Sequence, residues 1–62
     1  MPFDPAAHRK AMLAHCIWLI DAAGEQYALS VAQDYEGKSE GVLSGLQARI
    51  VREIEKRKLE AA

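Results

Sequence analysis

The sequence predicts an all-α fold, an antiparallel helical hairpin in which a long first helix is followed by a shorter second one. Apolar residues recur at intervals of three and four over most of the 62-residue chain, which is the spacing of one face of a helix. Both prolines lie within the first five positions, and one cluster of turn-forming residues divides the chain. These observations place helices near residues 4–36 and 39–60, in a single domain over residues 1–62.

The first helix has a well-marked start at Asp4 and Pro5. An aspartate accepts hydrogen bonds from the first-turn amides, and proline fits the first helical position because no amide hydrogen is needed there. Phe3 stands where a hydrophobic staple would begin, and His8 occupies the position of its usual partner. The helix is therefore expected to begin at about residue 4.

Gly24 is the one weak point in this helix, since glycine costs about 1 kcal/mol relative to alanine in a helix interior. No residue after it resembles a new N-cap. The apolar stripe that begins at Leu13 also continues in register to Tyr27 and Val31. We therefore favour one long helix with a kink near Gly24. A break there into two helices is the alternative.

The turn lies at residues 36–39, where Gly37 suits the left-handed residue that ends a helix and Ser39 suits the next N-cap. The second helix carries one narrow apolar stripe and is charged over most of its remaining surface, so it has one face to bury. It is expected to fold back along the first helix. The predicted core consists of Leu13, Ile17, Ile20, Tyr27, Val31, Leu43, Leu46, Ile50 and Ile54.

A second stripe on the first helix is left without a partner in this hairpin. At about 1.5 Å per residue the first helix spans roughly 48 Å and the second roughly 33 Å, so the shorter arm leaves the N-terminal turns uncovered. Trp18 is the largest residue of this stripe, and tryptophan is a frequent anchor of protein interfaces. A homodimer in a four-helix arrangement would bury it. The predicted interface residues are Ala11, His15, Trp18, Ala22 and Leu29.

Neither catalysis nor a bound cofactor is predicted. Cys16, the only cysteine, lies within an apolar stripe, where burial raises the pKa of a thiol and suppresses its reactivity. His8 and His15 are seven residues apart, too far along one helix to share a tetrahedral metal ion. Two helices also offer little concavity for a substrate, and no glycine-rich phosphate loop follows a strand. We therefore expect a non-enzymatic protein without a metal or cofactor.

Binding to nucleic acid is the alternative to binding a protein. The second helix is locally basic, and residues 28–54 loosely resemble a helix-turn-helix, so the alternative function is that of a small DNA-binding regulator. Against it, the turn is longer than in that motif, glutamates interrupt the basic face, and the formal net charge is −1. The nucleic-acid contacts in this alternative are Arg49, Arg52, Lys56, Arg57 and Lys58.

The favoured function is therefore a homodimeric interaction module that acts as an inhibitor, adaptor or regulatory subunit on a protein partner. A lone cysteine provides no disulfide framework, which favours a reducing, cytoplasmic compartment. No stretch approaches the roughly 18 apolar residues of a membrane span, so no membrane association is expected. In size and helical character the chain resembles small proteins that phages and mobile elements encode to inhibit or adapt host machinery, a resemblance that covers no motif.

Overall fold

The computed structural model describes residues 2–61, and that part of the chain forms three α-helices and no strand. Helix α1 spans Pro5–Ala23, α2 spans Glu25–Lys38 and α3 spans Leu46–Ala61. The predicted all-α class is confirmed. Within the described range, no helix combines the length and the apolar character needed to cross a membrane.

The three helices run up, down and up as a small bundle. His15 of α1 lies beside Tyr35 of α2, with ring centroids 6.1 Å apart, so these two helices are antiparallel. Arg57, near the end of α3, donates a hydrogen bond to Asp21, near the end of α1, so α1 and α3 are parallel. Each helix therefore packs on both of the others, and α1 has two flanks, one shared with α2 and one shared with α3.

The start of α1 matches the sequence prediction. The carboxylate of Asp4 accepts hydrogen bonds from two first-turn amides, at 3.0 and 3.3 Å, and Pro5 is the first helical residue. The rings of Phe3 and His8 lie 5.4 Å apart, which is the contact expected of a hydrophobic staple. These interactions are local in sequence, and for that reason they can be read from residue types and spacing alone.

The predicted long helix over residues 4–36 is wrong, because Gly24 separates α1 from α2. Its φ of 97° and ψ of 159° define a backbone conformation that is almost restricted to glycine. The carbonyl of Gly24 accepts the amide of Ala28 at 3.1 Å, and α2 begins without a side-chain cap. The chain therefore reverses at a residue whose capping role has no side-chain signature, and the two-helix hairpin becomes a three-helix bundle.

The core lies where the three helices meet. Its buried residues are Cys16, Leu19, Ile20, Ala28, Ala32, Leu43, Leu46, Ile50 and Ile54. The four core residues predicted from Leu43 onward are all among them, and so is Ile20. Leu13 and Ile17, also predicted for the core, are only partly buried and pack at its edge. The buried face of α1 is therefore rotated slightly from the predicted one.

In α2 the predicted core positions are displaced by one residue. Tyr27 is 55% exposed and Val31 is only partly buried, whereas Ala28 and Ala32 are completely buried. The reversal at Gly24 resets the helical phase, so the residues after it do not continue the stripe that precedes it. Two alanines four residues apart on the inner face allow the neighbouring helices to approach α2 closely.

Residues 39–45 form consecutive turns, so the second predicted helix begins later than the expected position 39. The Ser39 hydroxyl donates to the carbonyl of Glu36 at 2.8 Å and accepts the amide of Leu43 at 3.0 Å, so it closes α2 instead of starting α3. The Glu36 carboxylate accepts the amide of Gln47 at 2.9 Å and caps α3 from eleven residues away. Gly37, predicted to end the helix, lies within α2.

Candidate functional site

An aromatic surface covers the flank shared by α1 and α2, and we define it by five residues, His15, Trp18, Tyr27, Val31 and Tyr35. The Trp18 ring is stacked on that of His15, with centroids 6.2 Å apart and planes inclined by 21°. His15 in turn lies beside Tyr35, which joins the two helices. The three residues from α2 are spaced by four and line one shallow groove. Ring contacts join Trp18, His15 and Tyr35, and Tyr27 and Val31 extend the face of α2 that carries Tyr35.

Much of the aromatic surface is exposed to solvent, although large aromatic side chains are usually more buried than this. Trp18 is 61% exposed and Tyr27 is 55% exposed. Both side chains combine a large apolar ring with a hydrogen-bonding group, and tyrosine and tryptophan are enriched at the centres of protein interfaces. The arrangement is suited to binding another protein surface by apolar contact, with hydrogen bonds at its edge.

The structure brings most of the predicted interface residues together and separates one from them. Ala11, His15, Trp18 and Ala22 are all exposed on α1. Leu29 lies elsewhere, partly buried in the groove between α2 and α3, because the reversal at Gly24 turns that part of α2 away from the Trp18 side. The prediction that Leu29 shares a stripe with Trp18 requires one continuous helix, and the break at Gly24 makes it wrong.

The contribution of α2 to the aromatic surface was not predicted. The sequence predicts Tyr27 and Val31 for the core and indicates no role for Tyr35. A spacing of four residues from Tyr27 to Tyr35 does mark one helical face. The orientation of that face relative to α1 follows only when the break at Gly24 is known. The sequence therefore shows that these residues share a face of α2 but not which way that face points.

Two of the five basic residues predicted for nucleic-acid contact are engaged within the chain. Arg57 donates to the carboxylates of Asp21 and Glu53, and hydrogen bonding to Asp21 raises the pKa of its guanidinium. The ammonium group of Lys58 lies 3.7 Å from a carboxylate oxygen of Glu25. These ion pairs join α3 to α1 and α2 at one end of the bundle, so both cations have a structural explanation.

The other three basic residues lie in a groove between α1 and α3. The residues that line this basic groove are Leu13, Ile17, Arg49, Arg52, Glu53 and Lys56. Among residues 2–61, Arg49, Arg52 and Lys56 have no carboxylate within ion-pairing distance. The groove therefore combines apolar side chains from α1 with unpaired positive charge from α3, on the other flank of α1 from the aromatic surface.

The single thiol belongs to the core of the bundle. Cys16 is completely buried, and burial raises the pKa of its thiol, so the side chain is neutral near pH 7. In the part of the chain that the structure describes, no three His, Cys, Asp or Glu side chains come together in a way that could hold a metal ion. Cys16 is therefore a core residue.

No protein-family model, curated protein or solved structure matches this chain. The described residues present two exposed surfaces, one on either flank of α1. One is aromatic and shared with α2, and the other is basic and shared with α3.

Proposed function

We propose that the protein is a non-enzymatic protein–protein interaction module that forms a homodimer through its aromatic surface. The observation that carries the proposal is the position of Trp18, which is 61% exposed while its ring already stacks on His15. Contiguous exposed apolar patches on small proteins mark interaction sites, and burial of one large side chain contributes about 1.5–3 kcal/mol. Association removes this surface from water.

Self-complementarity favours a second copy as the occupant, because the apolar rings of one aromatic surface pack against the same rings of another. A two-fold axis places the same surface of both copies face to face, with α1 and α2 of each in a four-helix arrangement. A 62-residue chain buries only roughly 60% of its unfolded surface, so a shared core adds appreciable stability.

The dimer then serves as an adaptor, inhibitor or regulatory subunit for a further protein partner. The fold offers exposed surfaces on separate flanks of α1, which allows self-association and partner binding at the same time. The only cysteine is a buried core residue, which is compatible with a reducing cytoplasmic location. An adaptor, inhibitor or regulatory subunit acts by binding alone, through the shape and charge of its surface residues.

Sedimentation equilibrium at tens of micromolar tests the dimer. The wild-type chain is expected at twice its monomer mass, and Trp18→Ala is expected to cost on the order of 2–4 kcal/mol of dimer stability because it removes the central ring. Leu59→Ala is the matched control, since Leu59 is 79% exposed on α3 and lies outside the aromatic surface. A monomeric wild type, or a Trp18→Ala variant that dimerises unchanged, would refute the proposal.

DNA binding through α3 is the rival function, and the unpaired state of Arg49, Arg52 and Lys56 is the observation in its favour. Against it, Arg57 and Lys58 are occupied by ion pairs, and the net charge of −1 gives no long-range attraction to a polyanion. A titration with duplex DNA discriminates between the two. Appreciable affinity that falls steeply with salt supports the rival, and absence of binding at low salt supports the interaction module.

A further inference from the structure

We propose that the basic groove between α1 and α3 docks an acidic, amphipathic helix of a partner protein. This inference assigns a partner class to the interaction module proposed above and rests on that role. It does not depend on the dimer, because the groove and the aromatic surface lie on different flanks of α1.

The spacing of the cations matches the spacing of side chains on a second helix. Arg49, Arg52 and Lys56 are three and four residues apart, so they share one face of α3 and span about 10 Å along it at 1.5 Å per residue. A helix in the groove presents its own side chains at intervals of three and four. Three carboxylates on one of its faces can therefore meet all three cations.

The side chains from α1 require that the docked helix is also apolar. Leu13 and Ile17 lie four residues apart and are only partly buried, so each keeps part of its surface in the groove. Lys10 is exposed three residues before Leu13 and extends the positive charge along the same face of α1. An amphipathic helix that places leucine or a similar residue on Leu13 and Ile17 covers this apolar surface.

The charges in the groove are available to a partner. Within the described chain, Arg49, Arg52 and Lys56 make no ion pair, whereas Arg57 and Lys58 are both paired. Hydrogen bonds between a guanidinium and a carboxylate are charge-assisted, and arginine forms them in pairs of parallel bonds. An acidic partner therefore gains strong polar contacts without displacing existing ones.

The same features favour a protein helix over a nucleic-acid backbone. Leu13 and Ile17 line the groove beside the cations and offer no polar contact to a sugar–phosphate chain. An amphipathic helix contacts them with apolar side chains and contacts the cations with carboxylates. The Glu53 carboxylate, which accepts a hydrogen bond from Arg57, repels phosphate and carboxylate alike, so the apolar part of the groove makes the distinction.

Fluorescence anisotropy with a designed peptide tests the proposal on the full chain. The probe is a labelled, alanine-based peptide of about 15 residues, long enough for a docked helix, with three glutamates on one face and two leucines on the adjacent face. We expect saturable binding that Arg52→Glu weakens at least tenfold. Lys38→Glu makes the same change in net charge on α2, outside the groove, and is expected to alter the affinity less than twofold. Lys56→Glu is a second groove variant with the same expected loss.

Three further measurements decide the interpretation. A scrambled peptide of identical composition is expected to bind at least tenfold more weakly, because it lacks the apolar face. Trp18→Ala is expected to bind the designed peptide as the wild type does, which separates failure of the dimer from failure of this site. Equal binding of the scrambled peptide, no binding of the designed one, or displacement by duplex DNA that depends on Arg52 would overturn the proposal.

Discussion

The two sides of α1 contain comparable apolar side chains and have opposite environments. Cys16 and Leu19 face inward and are covered by α2 and α3, whereas Trp18, adjacent to Leu19 in sequence, is largely exposed. Hydrophobicity therefore does not decide which side is buried. The reversal at Gly24 decides it, because α2 covers Cys16 and Leu19 and leaves the Trp18 ring exposed at the edge of the contact between α1 and α2.

The two sides of α1 therefore have different roles in our proposal. We infer that the covered side holds the monomer together, while the exposed side serves association. Each side has its own probe, because the only cysteine lies on the covered side and the only tryptophan lies on the exposed side. The predictions that follow either confirm this division or remove it.

Removing a core side chain is expected to have the largest effect. Ile50 is completely buried in the core that covers Cys16, and an Ile→Ala change in such a site costs about 2–5 kcal/mol. Val51→Ala, at the neighbouring position with 38% exposure, is the control and is expected to cost less than about 1 kcal/mol. Urea denaturation followed by circular dichroism measures both. Equal losses at the two positions would show that the assigned core is incorrect.

Gly24→Ala is expected to have a smaller but distinctive effect. An alanine must adopt the φ of 97° that glycine accommodates, at a cost on the order of 1–3 kcal/mol. Gly37→Ala is the matched control, since it lies within α2 with open space around it, and it is expected to stabilise by about 0.4–1 kcal/mol. Thermal unfolding of both variants compares the two signs. A stabilising Gly24→Ala would indicate that the helix does not break there.

Deprotonation of the Cys16 thiol at high pH is expected to give the smallest change in the free energy of unfolding. Burial raises the pKa of the thiol above its value in the unfolded chain. The stability that the neutral thiol contributes is therefore complete below pH 9 and is lost as the pH rises through the pKa of the folded state. A Cys16→Ala variant should lack this part of the alkaline decline when free energies of unfolding are compared across that range. Alkylation of the native wild type near pH 8 should also be slow and become fast on unfolding. Rapid native alkylation would place Cys16 on the surface.

The parts of the fold that could be predicted depend on local signals. Asp4 and Pro5 mark the start of α1 by residue type alone, and the single apolar stripe of α3 leaves that helix one face to bury. That stripe accordingly predicts Ile50 and Ile54 for the core. The pattern within α1 predicts an unpartnered stripe at Trp18 in the same way, since it is independent of later residues.

The parts that could not be predicted depend on tertiary structure. Gly24 caps α2 with its backbone, which leaves no side-chain signature, and Glu36 caps α3 at Gln47 only because the fold brings them together. The helical phase of α2 follows from the cap at Gly24, and without that cap the sequence pattern predicts Tyr27 for the core instead of the aromatic surface. The separation of Leu29 from Trp18 has the same origin.

The fluorescence of Trp18 tests the central claim most directly, because it is the only tryptophan and is 61% exposed on the aromatic surface. In a dilution series at constant pH, we expect its emission to shift to longer wavelength as the dimer dissociates and water reaches the ring. The far-UV circular dichroism should stay constant over the same range, which shows that the monomer remains folded. An emission maximum that is independent of concentration, at the wavelength of a water-exposed tryptophan, would contradict the account.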